Sequence, residues 1–191
     1  MNLINIKDIS IYMENNWITH SRERVFENPW LELYKHDVTD PGGKPGTYTT
    51  VEFRTKAVGI VPIDDEGNTW LVGQYRYPLK EYSWEIPEGG VPHNEDLLEG
   101  AVRELKEEVG LTADNWQHIM EFNTSNSCTN EVAHIFIARN LTLGENDLES
   151  TEADMKVKKL PFEEAFNMVM SGQIKDSLSV AAILKVKFML K

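Results

Sequence analysis

The sequence predicts an α/β fold, a mixed sheet with helices on its two sides, and three observations carry that prediction. Apolar runs with strand character recur along the chain, AVGIVPI (57–63) and TWLVGQYR (69–76) the clearest of them. A capped segment of helical period lies between residues 94 and 109, and two more helical segments close the chain. Strands and helices are therefore interleaved rather than segregated, which favours layers of helix packed on a sheet.

Taken in order, the region from Trp17 to Arg54 alternates polar and apolar residues, as in ITHSRERVFE and WLELYKHDV, and reads as strands with a turn at Asp40-Pro41-Gly42-Gly43. The two buried strands that follow are joined by a turn over Asp64-Asp65-Glu66-Gly67-Asn68. For the central helix Asn94 is the expected N-cap, Glu95 and Asp96 place negative charge in its first turn, and Gly110 is placed to end it in a left-handed cap. At about 100° per residue, Leu98, Ala101, Val102, Leu105 and Val109 form an apolar stripe with Leu97 close to its acidic border. Further strands are expected around Trp116 to Phe122, at VAHIFIAR and at MKVKKLP. The closing helices are FEEAFNMVMSG, ended by Gly172, and DSLSVAAILKVKFML, capped by Asp176 or Ser177.

Composition narrows the functional classes. A chain of 191 residues, 41% hydrophobic and 26% charged, suits one globular domain with a substantial core. Its net charge of −12 and pI of about 4.9 leave no basic stripe for a nucleic-acid backbone, so no nucleic-acid partner is expected. Small anionic substrates stay compatible when bound cations supply the local positive charge. No apolar run approaches a membrane span and the first residues lack a signal-peptide pattern; with Cys128 as the only cysteine, a cytoplasmic, reducing setting without disulfides is expected.

The chemistry concentrates on the central helix. Glu104, Glu107 and Glu108 are neighbours on the face beside the apolar stripe, where like charges repel by a few tenths of a kcal/mol per pair and the helix's negative end adds to the cost. Two things can offset this. Arg103 and Lys106 can, on a merely solvated acidic face, or a hard divalent cation can, since oxygen-only ligands favour Mg²⁺ or Mn²⁺ over zinc. The surrounding spacing selects between them. Gly89, Glu95, Arg103-Glu104-Leu105, Glu107-Glu108 and Gly110-Leu111 recur at fixed gaps that chance would supply at on the order of one in 10⁸ starting positions.

This stretch, GGVPHNEDLLEGAVRELKEEVGL, resembles the box of the Nudix hydrolases, which cleave a nucleoside diphosphate linked to another moiety. The resemblance implies an α/β/α sandwich and a metal-dependent hydrolase. It assigns metal binding to Glu104 and Glu108, with Glu107 completing or tuning the cluster and the carbonyl of Glu88 adding an oxygen. Arg103 is expected to orient the carboxylates, Glu95 to hold the loop against the helix, and Gly89 and Gly90 to let the chain turn tightly.

The flanks are similar to the ADP-ribose and nucleoside-diphosphate-sugar pyrophosphatase branch, on the segment GQYRYPLKEYSWEIPEGG (73–90). That likeness implies Arg76 on the substrate phosphates and Glu85 near the metals or substrate. It implies that Trp30 stacks on the base across a homodimer with exchanged N-terminal parts, core packing being the alternative for Trp30. Residues 1–54 then form an N-terminal β extension for dimerisation and substrate contacts, ahead of a Nudix hydrolase domain over 55–191. The general base is expected after the box in LESTEADMKV, with Glu152 first, Glu149 second and Asp154 third. One departure from the branch concerns the loop TSNSCTNE, where ADP-ribose-selective members often carry a proline. Ser127, Asn126, Thr129 and Glu131 are there either to contact a sugar or phosphate or to bond within the loop.

The resulting expectation is a Mg²⁺-dependent pyrophosphohydrolase of nucleoside diphosphate sugars. Two competing readings are a pyrophosphatase for nucleoside triphosphates or dinucleoside polyphosphates, and a non-catalytic nucleotide-sugar sensor.

Overall fold

A computed structural model describes residues 15–144 and 154–190. Their elements run β1 (Ile18–Glu27), β2 (Leu31–Thr39), β3 (Pro45–Phe53), β4 (Thr55–Pro62), β5 (Asn68–Arg76), β6 (Glu81–Glu85), β7 (Glu88–Pro92), α1 (Leu97–Val109), β8 (Leu111–Asn123), β9 (Val132–Leu143), β10 (Lys156–Pro161), α2 (Phe162–Met170) and α3 (Ser177–Met189).

The expected mixed sheet is present, and a second, antiparallel sheet lies beside it. A four-stranded sheet has the order β7-β4-β9-β8, and a three-stranded antiparallel sheet the order β10-β5-β6. In the larger sheet β4 and β9 are parallel, while β7 and β8 flank them antiparallel. The period of two in these strands decides what each face receives. On β4, Val58 and Ile60 face α1 together with Trp70 and Val72 of β5 and Phe136 and Ala138 of β9. Val61, Leu71, Ile135 and Ile137 point the other way, onto Ala165 and Met168 of α2 and Leu178, Ala182, Ile183 and Val186 of α3. Each fully buried aliphatic side chain contributes about 1.5–3 kcal/mol. The result is helix, sheet, helix.

The start and the rotation of α1 differ from expectation. Asp96, not Asn94, is the N-cap, its Oδ1 accepting from the amides of Leu98 at 2.8 Å and Glu99 at 3.2 Å. The predicted apolar stripe is only half buried: Ala101, Leu105 and Val109 face the core beside Leu97, whereas Leu98 and Val102 are exposed. In their place Glu104 and Glu108 turn inward, to 8% and 1% exposure. At the far end Gly110 adopts φ 73° and its amide donates to the Leu105 and Lys106 carbonyls, the left-handed cap the sequence implied.

The N-terminal strands form their own antiparallel sheet, β1-β2-β3. Every residue of β1 is exposed, and Val38 is the one buried hydrophobic residue of the three strands. This sheet is fastened to the loop after β8: the Val51 amide donates to the Cys128 carbonyl at 2.8 Å and the Phe53 amide to Asn130 Oδ1 at 2.8 Å. Among the described residues no helix is long and apolar enough to cross a membrane.

Candidate active site

The site is built where β7 meets α1. Gly89 of β7 lies directly under the Glu104 carboxylate, so a Cβ at 89 would overlap the carboxyl group itself. One residue earlier, the amide of Glu88 donates to Glu108 Oε2 at 2.9 Å. These two contacts explain the inward turn of both glutamates: the glycine leaves room for one and the strand amide satisfies the other. Arg103 fixes the outer side. Its Nη1 donates to Glu104 Oε1 at 2.8 Å and Glu107 Oε2 at 3.0 Å, Nη2 donates to the Gly90 carbonyl at 3.1 Å, and Nε lies 3.5 Å from Glu95. A single guanidinium thus spreads over three carboxylates and the box loop.

Beside this junction lies a cavity of about 660 Å³. Arg76, Glu85, Glu88 and Glu108 share its wall, with Trp30 and Phe53 from the N-terminal sheet at another part of the lining. Arg76 donates through Nε to both oxygens of Glu85 at 2.9 and 3.0 Å, through Nη2 to Glu85 Oε2, and to Glu88 Oε1 at 3.1 Å. Burial opposes its charge, but the hydrogen bonds and field of Glu85, helped by Glu88 and Asp176, outweigh burial and hold its pKa above the ordinary arginine value. Glu88 is pushed the other way. Desolvation, then the charges of Asp176 and Glu85, drive its pKa well above the usual carboxylate range against the pull of Arg76.

Several expected residues come together here and others do not. Trp30 is 69% exposed and lines the cavity, which removes core packing as its role. Glu107 and Arg103 instead border a separate groove on the outer face of α1 with Leu98, Val102 and Lys106. Ser127 lies outside the cavity lining, its carbonyl accepting from the Tyr48 hydroxyl. The loop is pulled towards the N-terminal sheet and bonds within itself, as in Thr129 to the Ser125 carbonyl at 3.3 Å. Thr124 and Glu131, joined at 2.6 Å, are what the loop presents to the cavity. Glu152 and Glu149 lie outside the described residues, and Asp154, just before β10, is exposed.

The sequence reading missed Lys175 and Asp176 as site residues. Both line the cavity from the connector just before α3. Asp176 had a visible signal, but as the helix cap it also is, accepting from the Ser179 amide at 2.7 Å. Nothing local in the chain marks Lys175, which reaches the site only through the packing of α3 against β4 and β9.

No three acidic, imidazole or thiol side chains among the described residues form a closed metal cluster. The donors nevertheless suit a hard divalent ion. Glu85, Glu88, Glu108 and Asp176 share one wall with the single guanidinium of Arg76, and Glu88 Oε2 is buried with no hydrogen-bond partner. Every candidate ligand is an oxygen, the donor type of Mg²⁺ and Mn²⁺.

An α/β/α sandwich whose acidic helix is cradled by a glycine strand defines a class, and comparison with known proteins agrees. The NUDIX domain profile matches residues 53–177, and the chain belongs to the Nudix family. A second profile, the nucleoside diphosphate sugar hydrolase N-terminal domain, matches residues 17–51. Among its relatives are the ADP-ribose pyrophosphatase of Bacillus subtilis, 33% identical over 86% of this chain and 89% of that protein, and the ADP-ribose pyrophosphatase of Mycobacterium tuberculosis, 34% identical over 91% and 84%. A crystal structure described as an ADP compounds hydrolase superposes with a TM-score of 0.82 over 92% of this chain and 95% of its own, at 21% identity, a likeness of fold.

Proposed function

We propose that this protein is a Nudix pyrophosphohydrolase that splits nucleoside diphosphate sugars, ADP-ribose included, into a nucleoside monophosphate and a sugar phosphate. The observation that carries the proposal is the single cavity bringing Glu88 and Glu108, Arg76 and the exposed ring of Trp30 to one wall system. Its 660 Å³ is within the range of small-molecule sites. The two relatives named ADP-ribose pyrophosphatases align over most of their length, and the nucleoside diphosphate sugar hydrolase N-terminal model covers the β1–β2 turn that carries Trp30.

In this reading Glu104, Glu108 and the carbonyl of Glu88 would hold Mg²⁺, with Mn²⁺ as substitute, and Glu107, which Arg103 holds beside Glu104, would complete or tune the cluster; such an ion would supply acidity to the attacking water and offset charge on the phosphates. The protein's own part is positioning. Arg103 restrains the Glu104 and Glu107 carboxylates, the Glu88 amide restrains Glu108, and Arg76, backed by Glu85, orients the diphosphate for in-line attack. Glu152 takes the proton of the attacking water in this scheme, with Glu149 as the second choice. Trp30 stacks on the base.

We further propose that residues 1–54 act as a dimerisation extension before a catalytic domain over 55–191. Trp17, Ile18, Val25 and Phe26 leave apolar area on β1 and its approach that a second copy would cover. A cytoplasmic setting suits the exposed, unpaired Cys128. The deciding experiment incubates the protein with Mg²⁺ and a panel of nucleotide sugars and triphosphates and follows release of nucleoside monophosphate. Cleavage of nucleotide sugars is the expected result. Cleavage of triphosphates alone overturns the substrate class, and tight binding without cleavage overturns the enzyme. Light scattering tests the dimer.

A further inference from the structure

Two cations line the cavity among the described residues, Arg76 and Lys175, and they are held very differently. Arg76 is committed to Glu85 and Glu88 through four hydrogen bonds. Lys175, in the connector between α2 and α3, meets among the described residues only the Glu81 carboxylate at the first residue of β6, with Nζ at 3.2 and 3.3 Å from its oxygens. The lysine side chain is 65% exposed and the glutamate 46%. An ion pair this open is worth little, so it is readily exchanged for another anion. Around it the cavity is acidic, with Glu81, Glu85, Glu88, Glu108, Glu131 and Asp176 in the lining.

We infer that Lys175 is a substrate-contacting residue that rests on Glu81 and transfers its ammonium to a phosphate oxygen of the entering substrate. The inference rests on the cavity being the site of a nucleoside diphosphate sugar. A diphosphate entering this acidic lining has to find positive charge. Arg76 can face the diphosphate only from its place on Glu85, which is 3% exposed and would be stranded if the guanidinium moved, whereas drawing Lys175 away returns an exposed Glu81 to water. The lysine stem is flexible and its three donors are freely oriented, which suits a moving point charge. Glu81 then tunes affinity by competing with the substrate for the same cation.

The test is a double-mutant cycle on Lys175 and Glu81. Lys175→Met is expected to raise KM for ADP-ribose about tenfold with kcat within about twofold, and Lys175→Arg to restore most of the loss. Glu81→Gln is expected to lower KM a few-fold, and to lose that gain in the Lys175→Met background. Calorimetry with α,β-methylene ADP and Mg²⁺ reads the same changes in Kd without turnover, so it tests Lys175 even if the panel above excludes nucleotide sugars as substrates. A purely structural bridge would make both single variants act in the same direction, by loosening the β5–β6 turn. That result, or an unchanged Kd in Lys175→Met, overturns the inference.

Discussion

The junction of β7 with α1 and the sheet β1-β2-β3 are both parts of the proposed site, yet they are made in opposite ways. At the junction nearly every polar group has its partner within the chain: Glu104 rests on Gly89, Glu108 on the Glu88 amide, and Arg103 ties Glu104, Glu107 and Glu95 together. In the N-terminal sheet β1 pairs with β2 through two register irregularities, its polar side chains bond one another across the strands at the surface, Val38 is the one buried hydrophobic residue, and Trp30 presents its ring to the cavity from a largely exposed position. Chemistry that depends on sub-ångström placement sits on the rigid side. Recognition, which tolerates adjustment, sits on the open side.

Substitutions on the two sides should therefore fail differently. Glu108→Gln should lower kcat roughly 10³-fold while the circular dichroism spectrum stays unchanged, since a buried carboxylate is replaced by a neutral isostere. Unaltered turnover would remove Glu108 from the chemistry. Gly89→Ala should cost about 10²-fold in kcat, because the added methyl displaces the Glu104 carboxylate; activity kept at the parental level would mean that this carboxylate need not occupy its place over β7. Trp30→Ala should instead raise KM about tenfold and leave kcat nearly intact, as expected for a lost stacking surface; a fall in kcat alone would erase the distinction between the two regions.

The smallest effect concerns neither region but the turn between β4 and β5 that sets the sheet. Asp64 accepts from the Asn68 amide at 2.7 Å and pairs with Lys159 at 2.7 Å. Burial opposes its charge, but the bonds from Lys159 and Asn68 prevail and hold its pKa well below the ordinary aspartate value. A depressed carboxylate pKa adds stability that is present above the unfolded-state pKa of about 3.9 and is lost as pH falls from there towards the folded value. Asp64→Ala should cost about 1–3 kcal/mol near neutral pH, read as a drop in Tm, and the gap to the parent should narrow in acid. A gap that stays constant with pH would rule out this ionic contribution.

How much of this was legible in the chain depends on how local the signal is. The Gly110 cap, the Asp64–Asn68 turn and the strands β4 and β9 are written in neighbouring residues and appear where they were expected. The rotation of α1 was not legible, because helical periodicity alone places Leu98 and Val102 as plausibly inward as Glu104. The space left by Gly89 decided in favour of the carboxylate. Ser127 lies outside the cavity lining for a related reason: its loop is held by Tyr48 and Val51, some eighty residues earlier, and that attachment has no local mark.

By itself the sequence determined the family, the α/β layering and the identity of the acidic residues, since these follow from motif spacing, residue period and side-chain chemistry. Only the tertiary structure decided which carboxylates are buried, that Arg76 is locked by Glu85 and Glu88, and that Lys175 and Asp176 join a wall built largely from residues about ninety positions earlier. Those outcomes depend on distances between elements remote in the chain, and packing, unlike periodicity, is a property that no short segment carries.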